Sequence, residues 1–257
     1  MIYGLYLSAQ GAEAQAMRID VIANNLANAS TNGFKRDFPV FQTHEMFDQL
    51  HGVPADIPAD QLNQTGGITA AGVVTDYSQG PMQLTKGDFD LAIAGEGYFR
   101  VVANGQPSLT RDGQFTMNDR GELVTVGHGY PVLGNNGQPV VFPVDTKKAQ
   151  FNPDGTIQAF DSLGLPINVG QLDIVRPESY EQLMKVGNNL LVGGGRLQSV
   201  SKETQVMQGY LEGSGTNSIM EMVDLIQASR EFETNLNMLK LQDDAMGRLL
   251  QAVPLRG

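Results

Sequence analysis

Two heptad-spaced stripes, one at each end of the chain, constrain its fold more than any other feature. Near the start, Leu5, Ala9, Ala12, Ala16, Ile19, Ala23 and Leu26 alternate spacings of four and three. Near the end, Met222, Leu225, Ser229, Phe232, Leu236, Leu239, Asp243, Met246 and Leu250 do the same. Such a period marks a helical seam that faces a partner helix. A lone helix with an alanine-rich seam is marginal in water. The two stripes can cover one another only if the ends of the chain meet in space. A helix from Tyr3 to Ala29 would be about 40 Å long. Gly4 and Gly11 weaken its early part. "GSGTNS" at Gly213–Ser218 supplies a break and N-cap residues for the second helix, and Pro254 ends it. Val223 and Ile226 widen its apolar face, and Asp243 interrupts the seam. Even the paired helices leave apolar surface over, so the sequence expects neighbours from other subunits.

The texture between the ends is different. "VVANGQPSLTRDGQFTMNDRGELVTVGHGYPVLGNNGQPVVFP" (Val101–Pro143) places turn signals every seven to nine residues between short alternating runs. That is a region of hairpins. The expected fold class is therefore α+β: paired N- and C-terminal helices, coiled-coil-like, plus a central β-rich domain. The expected domains are a discontinuous helical one, 1–36 with 213–257, and a β-rich one, 73–212. Residues 37–72 lack a clear period and hold "GVPADIPADQLNQTGGITAAG", which predicts an extended connector.

Composition excludes several functions. The chain of 257 residues has a formal net charge of -11, a pI near 4.6 and no cysteine. An acidic chain with few basic clusters, the densest being "FKRD" at Phe34–Asp37, is a poor ligand for nucleic acid or anionic membranes. Disulfides and thiol catalysis are ruled out. No segment reaches the ~18 apolar residues of a membrane span. The N-terminus has neither the basic nor the continuous apolar region of a secretory signal, so export, if it occurs, is expected without a cleaved signal.

Chemistry is sparse. His44 and His51 are seven residues apart but have no carboxylate at a zinc-like spacing, and His128 sits between two glycines in a turn. Asp88, Asp90 and Glu96 in "GDFDLAIAGEGYF" raise the possibility of acid–base work. Turn chemistry accounts for them better: Gly95-Glu96-Gly97 reads as a turn, and a dinucleotide loop would need a further glycine and a helix. "NPDGT" and "NDRGE" resemble pieces of calcium loops without the ligand register. No catalytic, cofactor or metal residues are expected.

The ends and the middle together resemble a known family. "RIDVIANNLANASTNGFKRD" (Arg18–Asp37), "FDLAIAGEGYF" (Phe89–Phe99), "LTRDGQF" (Leu109–Phe115), Gly121–Val132 and "GYLEGSGTNSIMEMVDLIQASREFE" (Gly209–Glu233) are similar, in that order, to the signatures of the flagellar rod and hook proteins of the bacterial basal body. The resemblance implies a structural subunit, not an enzyme. It implies terminal helices that pack as a coiled coil and line the core of a tubular axial assembly, with β-rich parts outside. It also implies export by the flagellar type III apparatus and residence in the periplasm-spanning rod. The implied partners are copies of the chain and neighbouring axial proteins. "PVLGNNGQPVVFP" and "GYLEGS" favour the proximal-rod member, with the distal-rod member as alternative. "EGSGTNS" departs from the usual wording. A secreted β-domain binding module that oligomerises through its ends is the rival class, and a small hydrolase using Asp88 and Asp90 a third.

The asparagines of "VIANNLANASTNGFKRD" then have a candidate role. Asn24, Asn25 and Asn28 lie beside the seam and can exchange hydrogen bonds across close helix contacts, fixing register in an assembly. The alternative is a solvated polar face. Gly33 is expected to cap the helix in a left-handed conformation, with Phe34 folding back on it and Lys35 and Arg36 near its negative end.

Overall fold

The computed structural model describes residues 2–43, 67–143, 146, 148–162, 164–201 and 203–252. It is α+β, with a helix at each end and β structure between. The chain divides into two units. Unit 1 comprises Met1–Ala27, Asp37–Asp76 and Asn217–Gly257; unit 2 comprises Asn28–Arg36 and Tyr77–Thr216.

Unit 1 is built on two helices, α1 (Ile2–Ala27) and α2 (Ser218–Ala252). Asn217 starts α2: its Oδ1 accepts from the backbone N–H groups of Ile219 (3.0 Å) and Met220 (3.4 Å), which satisfies donors that the first turn leaves open. Glu221, wholly buried in that turn, sits where the helix dipole favours a carboxylate. Beside the helices runs an antiparallel ribbon of β1 (Asp37–Thr43) and β2 (Ile68–Thr75), with a register shift between Val40 and Phe41. The ends of the segment expected as an extended connector are therefore paired strands. β-Branched and aromatic residues such as Phe38, Val40, Val73 and Val74 favour the pairing. His44, His51 and the rest of 44–66 lie outside the described residues.

Unit 2 holds short antiparallel strands joined by tight turns. Its largest sheet runs, in spatial order, Leu183–Lys185, Leu191–Gly193, Gln106–Thr110, Tyr98–Ala103, Ile174–Pro177 and Leu197–Ser199. The period-two alternation of Tyr98–Ala103 sends Phe99, Val101 and Ala103 into the main core, with Leu91, Ile93, Phe115, Leu123, Phe142 and Ile157. Tyr98 turns to a second cluster with Leu109, Val175, Leu183 and Leu191. Phe99 and Phe115 meet edge to face at 5.2 Å. Gly95 and Gly97 both have positive φ between flanking strands, as the turn reading of "GEG" requires. Asn118 and Asp154 accept from backbone N–H groups two residues on, so "NDRGE" and "NPDGT" are side-chain-closed turns.

Candidate assembly site

In unit 1 the helices run antiparallel along a seam of small and polar residues. Gln242 Nε2 lies 3.4 Å from Ser8 Oγ. Gln15 Nε2 donates to Glu231 Oε2 at 2.7 Å, and Arg18 reaches the same carboxylate at 3.4 Å. Gly4 and Gly11 face side chains of α2: a Cβ on Gly4 would meet the Gln242 amide in ordinary contact at 3.4 Å, and one on Gly11 would press the Asn235 amide at 3.2 Å. With buried Ile22 and Asn25 these positions form the series 4, 8, 11, 15, 18, 22, 25.

These contacts from α1 to α2 fall one residue earlier than the expected α1 stripe. Of the residues placed on the α1 seam, only Ala12 is buried. Leu5, Ala16, Ile19 and Leu26 are half-buried, and Ala9 and Ala23 are exposed. On α2, Leu225, Phe232, Leu239 and Met246 are half-buried, but Met222, Leu236 and Asp243 are exposed. The side chains that reach α1 beside Leu236 and Asp243 are Asn235 and Gln242, each one residue earlier, and Glu221 and Ala228 are wholly buried. Asp243 therefore interrupts nothing.

The asparagines separate by role. Asn24 is exposed and Asn28 half-buried. Asn25 is 1% exposed. Its Nδ2 donates to the Asp37 carbonyl at 2.8 Å and its Oδ1 accepts from the Asp37 N–H at 3.0 Å. The amide thus mimics a neighbouring strand and pins the start of β1. Thr75 adds a hydroxyl bond to Asp37 Oδ1 at 2.6 Å.

In unit 2, residues 28–36 form a strap laid on the β structure. The helix stops at Ala27, so Gly33 and Phe34 do not form the expected cap. Turns from Asn28 to Thr31 and from Thr31 to Phe34 fold the strap. Gly33 does have positive φ (67°), for another reason: its N–H donates to the Glu212 carbonyl at 2.7 Å, and a Cβ there would lie 2.5 Å from the Arg111 carbonyl carbon. The Phe34 carbonyl accepts from the Gly215 N–H at 2.8 Å. Phe34 is buried, with the Lys185 ammonium 4.4 Å from its ring centroid. Asn189 Nδ2 donates to the Asn32 carbonyl.

Lys35 is the correction with most consequence. It does not serve a helix end. It is buried, with its ammonium 2.6 Å from Glu212 Oε1 and donating to the Ser78 carbonyl at 2.7 Å. Arg111 holds the other oxygen, Glu212 Oε2, at 2.9 Å, and also donates to the carbonyls of Ile93 and Gly95. The Gly80 N–H adds a bond to Glu212 Oε1 at 2.9 Å. Three charges from Lys35, Arg111 and Glu212 thus meet in one buried triad, far apart in sequence. Each lies inside one of the separate motifs, "GFK", "TRDG" and "GYLE". Nothing in their spacing said that they touch.

Among the described residues no group of three or more His, Asp or Glu side chains is placed to hold a metal, and no helix is long and apolar enough to cross a membrane.

Comparison with known proteins matches three family models in chain order. Residues 5–35 match the flagella basal body rod protein family, 92–159 the flagellar hook protein FlgE/F/G D1 domain, and 207–252 the flagellar basal body rod FlgEFG protein C-terminal family. The chain is similar to the flagellar basal-body rod protein FlgG of Buchnera aphidicola subsp. Schizaphis graminum, 31% identical over 98% of this chain and 100% of the relative. It is similar to the flagellar basal-body rod protein FlgF of Caulobacter vibrioides, 35% identical over 86% of this chain and 85% of the relative. It is also similar to FlgG of Bacillus subtilis, 30% identical over 97% and 98%.

Proposed function

Because this chain belongs to the flagellar basal-body rod protein family, we propose that it polymerises through its terminal helices into the axial drive-shaft that carries torque to hook and filament. It is a structural subunit of the rod, not an enzyme, and its place is the flagellar basal body. The observation that carries the reading is the match of both helical ends and the β-rich middle, in order, to rod and hook families.

The assembly surface is assigned to the exposed and half-buried faces of α1 and α2, in coiled-coil-like contacts. The heptad spacing of Leu5 to Leu26 and the exposure of Met222 and Leu236 support it. The partners are copies of the chain and adjoining axial proteins. Export through the flagellar apparatus is part of the same proposal and rests on the family resemblance; loss of secretion in an export-deficient strain tests it.

The proximal position rests on the wording "PVLGNNGQPVVFP" and "GYLEGS"; relatives named FlgG and FlgF both match. Deletion of the chain, followed by electron microscopy of purified basal bodies, tests position and function together. Non-motile cells without any rod beyond the basal ring support the proximal reading. A shortened rod moves the assignment to the distal part. Full-length rods with normal motility overturn the proposal.

A further inference from the structure

Three Asn-Gly pairs stand in the chain: Asn32-Gly33, Asn104-Gly105 and Asn136-Gly137. A glycine after asparagine carries no side chain to shield its backbone nitrogen, and that nitrogen can attack the asparagine side-chain carbonyl. As dipeptides the three are equivalent, and all lie in unit 2. The fold sets them apart.

Asn32-Gly33 is locked. The Gly33 N–H, the attacking group, donates to the Glu212 carbonyl at 2.7 Å, and Gly33 is buried against the Arg111 backbone. The Asn32 carbonyl is held by Asn189 Nδ2. Asn136-Gly137 is exposed but tied at both reacting groups. Asn136 Oδ1 accepts from the Gln138 N–H at 3.0 Å, and the Gly137 N–H donates to the Gly134 carbonyl at 2.8 Å.

Asn104-Gly105 is the two-residue loop between the paired strands Tyr98–Ala103 and Gln106–Thr110. Asn104 and Gly105 have φ of 52° and 77°, as the tight hairpin turn favoured by this dipeptide requires. Both are exposed, and a Cβ on Gly105 would meet nothing within 4 Å. Among the described residues neither the Asn104 side chain nor the Gly105 N–H has a hydrogen-bond partner. A left-handed conformation is costly for a residue with a Cβ, so Asn104 loses little when the tip opens. Hairpin tips also open at low free-energy cost compared with the sheet behind them.

We propose that Asn104 is a site of spontaneous self-modification, where the Gly105 nitrogen displaces the side-chain amide. The Gly105 nitrogen bonds to Asn104 Cγ, the Cγ–Nδ2 bond breaks, and the Gly105 proton leaves with Nδ2 as ammonia. The product is a five-membered succinimide. One solvent water then adds across either imide C–N bond, giving aspartate or its β-linked isomer. Either product adds a negative charge to the tip. The β-linked one also adds a carbon to the backbone of a turn with no slack. It therefore loosens the register of Ala103 against Gln106, in the middle pair of the six-stranded sheet.

The test incubates the purified full chain in mildly alkaline buffer and follows all three pairs by peptide mass spectrometry. Asn104 gains about one mass unit roughly tenfold faster than Asn136, whose reacting groups must first give up two hydrogen bonds. Asn32 stays unchanged. In denaturant the three rates come within a few-fold of one another. An isoaspartate-specific methyltransferase labels the Asn104 peptide of the incubated chain. Asn104→Gly keeps a residue that accepts positive φ, and it removes the acidic species that isoelectric focusing shows for the natural chain. Asn32 or Asn136 converting as fast as Asn104 in the folded chain overturns the proposal. So does an Asn104 that converts only in denaturant, or an acidic species that persists at the natural rate in Asn104→Gly.

Discussion

Glu212 shares one carboxylate between two cations, and all three side chains are buried. A buried ion pair is costly to break, because the partner left behind stays desolvated. Glu212→Gln keeps the shape and removes the charge. It should lower stability by about 3–5 kcal/mol, read as a shift of the denaturant midpoint. Replacing Lys35, Arg111 and Glu212 together with Met, Met and Leu should recover most of that loss, because no orphaned charge remains. Asp112 makes stability depend on pH. Burial raises its carboxyl pKa above the ordinary value, so the folded state binds the proton more tightly than the unfolded chain. Its contribution is fully present below the ordinary carboxylate range and is lost as pH rises through the raised value. Asp112→Asn should therefore melt higher than the natural chain at pH 7, with the two curves converging in acid. Neither effect was legible in the sequence. "FKRD" read as a basic spot after a helix, and only the fold brings Lys35 to Glu212, 177 positions away.

Elements were more legible than their faces. Both helices, the hairpin texture and the turns at "GEG", "NDRGE" and "NPDGT" follow from local chemistry: period, punctuation and side-chain competition for the backbone. The phase of the helical seam does not. A reading by hydrophobicity chooses Ala9, Ala16 and Ala23, whereas α1 meets α2 through Gly4, Ser8, Gly11, Gln15 and Arg18. Gly4, Ser8 and Gly11 leave room for the Gln242 and Asn235 side chains, and Gln15 and Gln242 each donate a hydrogen bond across the gap. The apolar stripe is left for other company. Asn25 is similar: its helical position suggested register, and its two bonds go to the strand at Asp37. Asn25→Ala should cost about 1–3 kcal/mol and speed hydrogen exchange in Asp37–Thr43 and Ile68–Thr75 while leaving the β structure of unit 2 protected. Asn217→Ala should cost about 1 kcal/mol, seen as fraying of the first turn of α2.

At the scale of the molecule, both hydrophobic clusters lie within unit 2 while unit 1 rests on its helix pair and ribbon, so the two units should unfold in separable transitions. In calorimetry, Glu212→Gln should lower the transition of unit 2 and Asn25→Ala that of unit 1, each leaving the other within about 1 °C by the additivity of distant sites. The sequence suggests a helical domain of 1–36 with 213–257, a connector at 37–72 and a β-rich middle at 73–212. The strap departs from that plan: residues 28–36 belong with the middle, although the segments on both sides of them belong with the ends. The chain therefore passes from one unit to the other at 27/28, 36/37, 76/77 and 216/217. A single break at any one of these crossings therefore leaves the two units covalently joined through the other three.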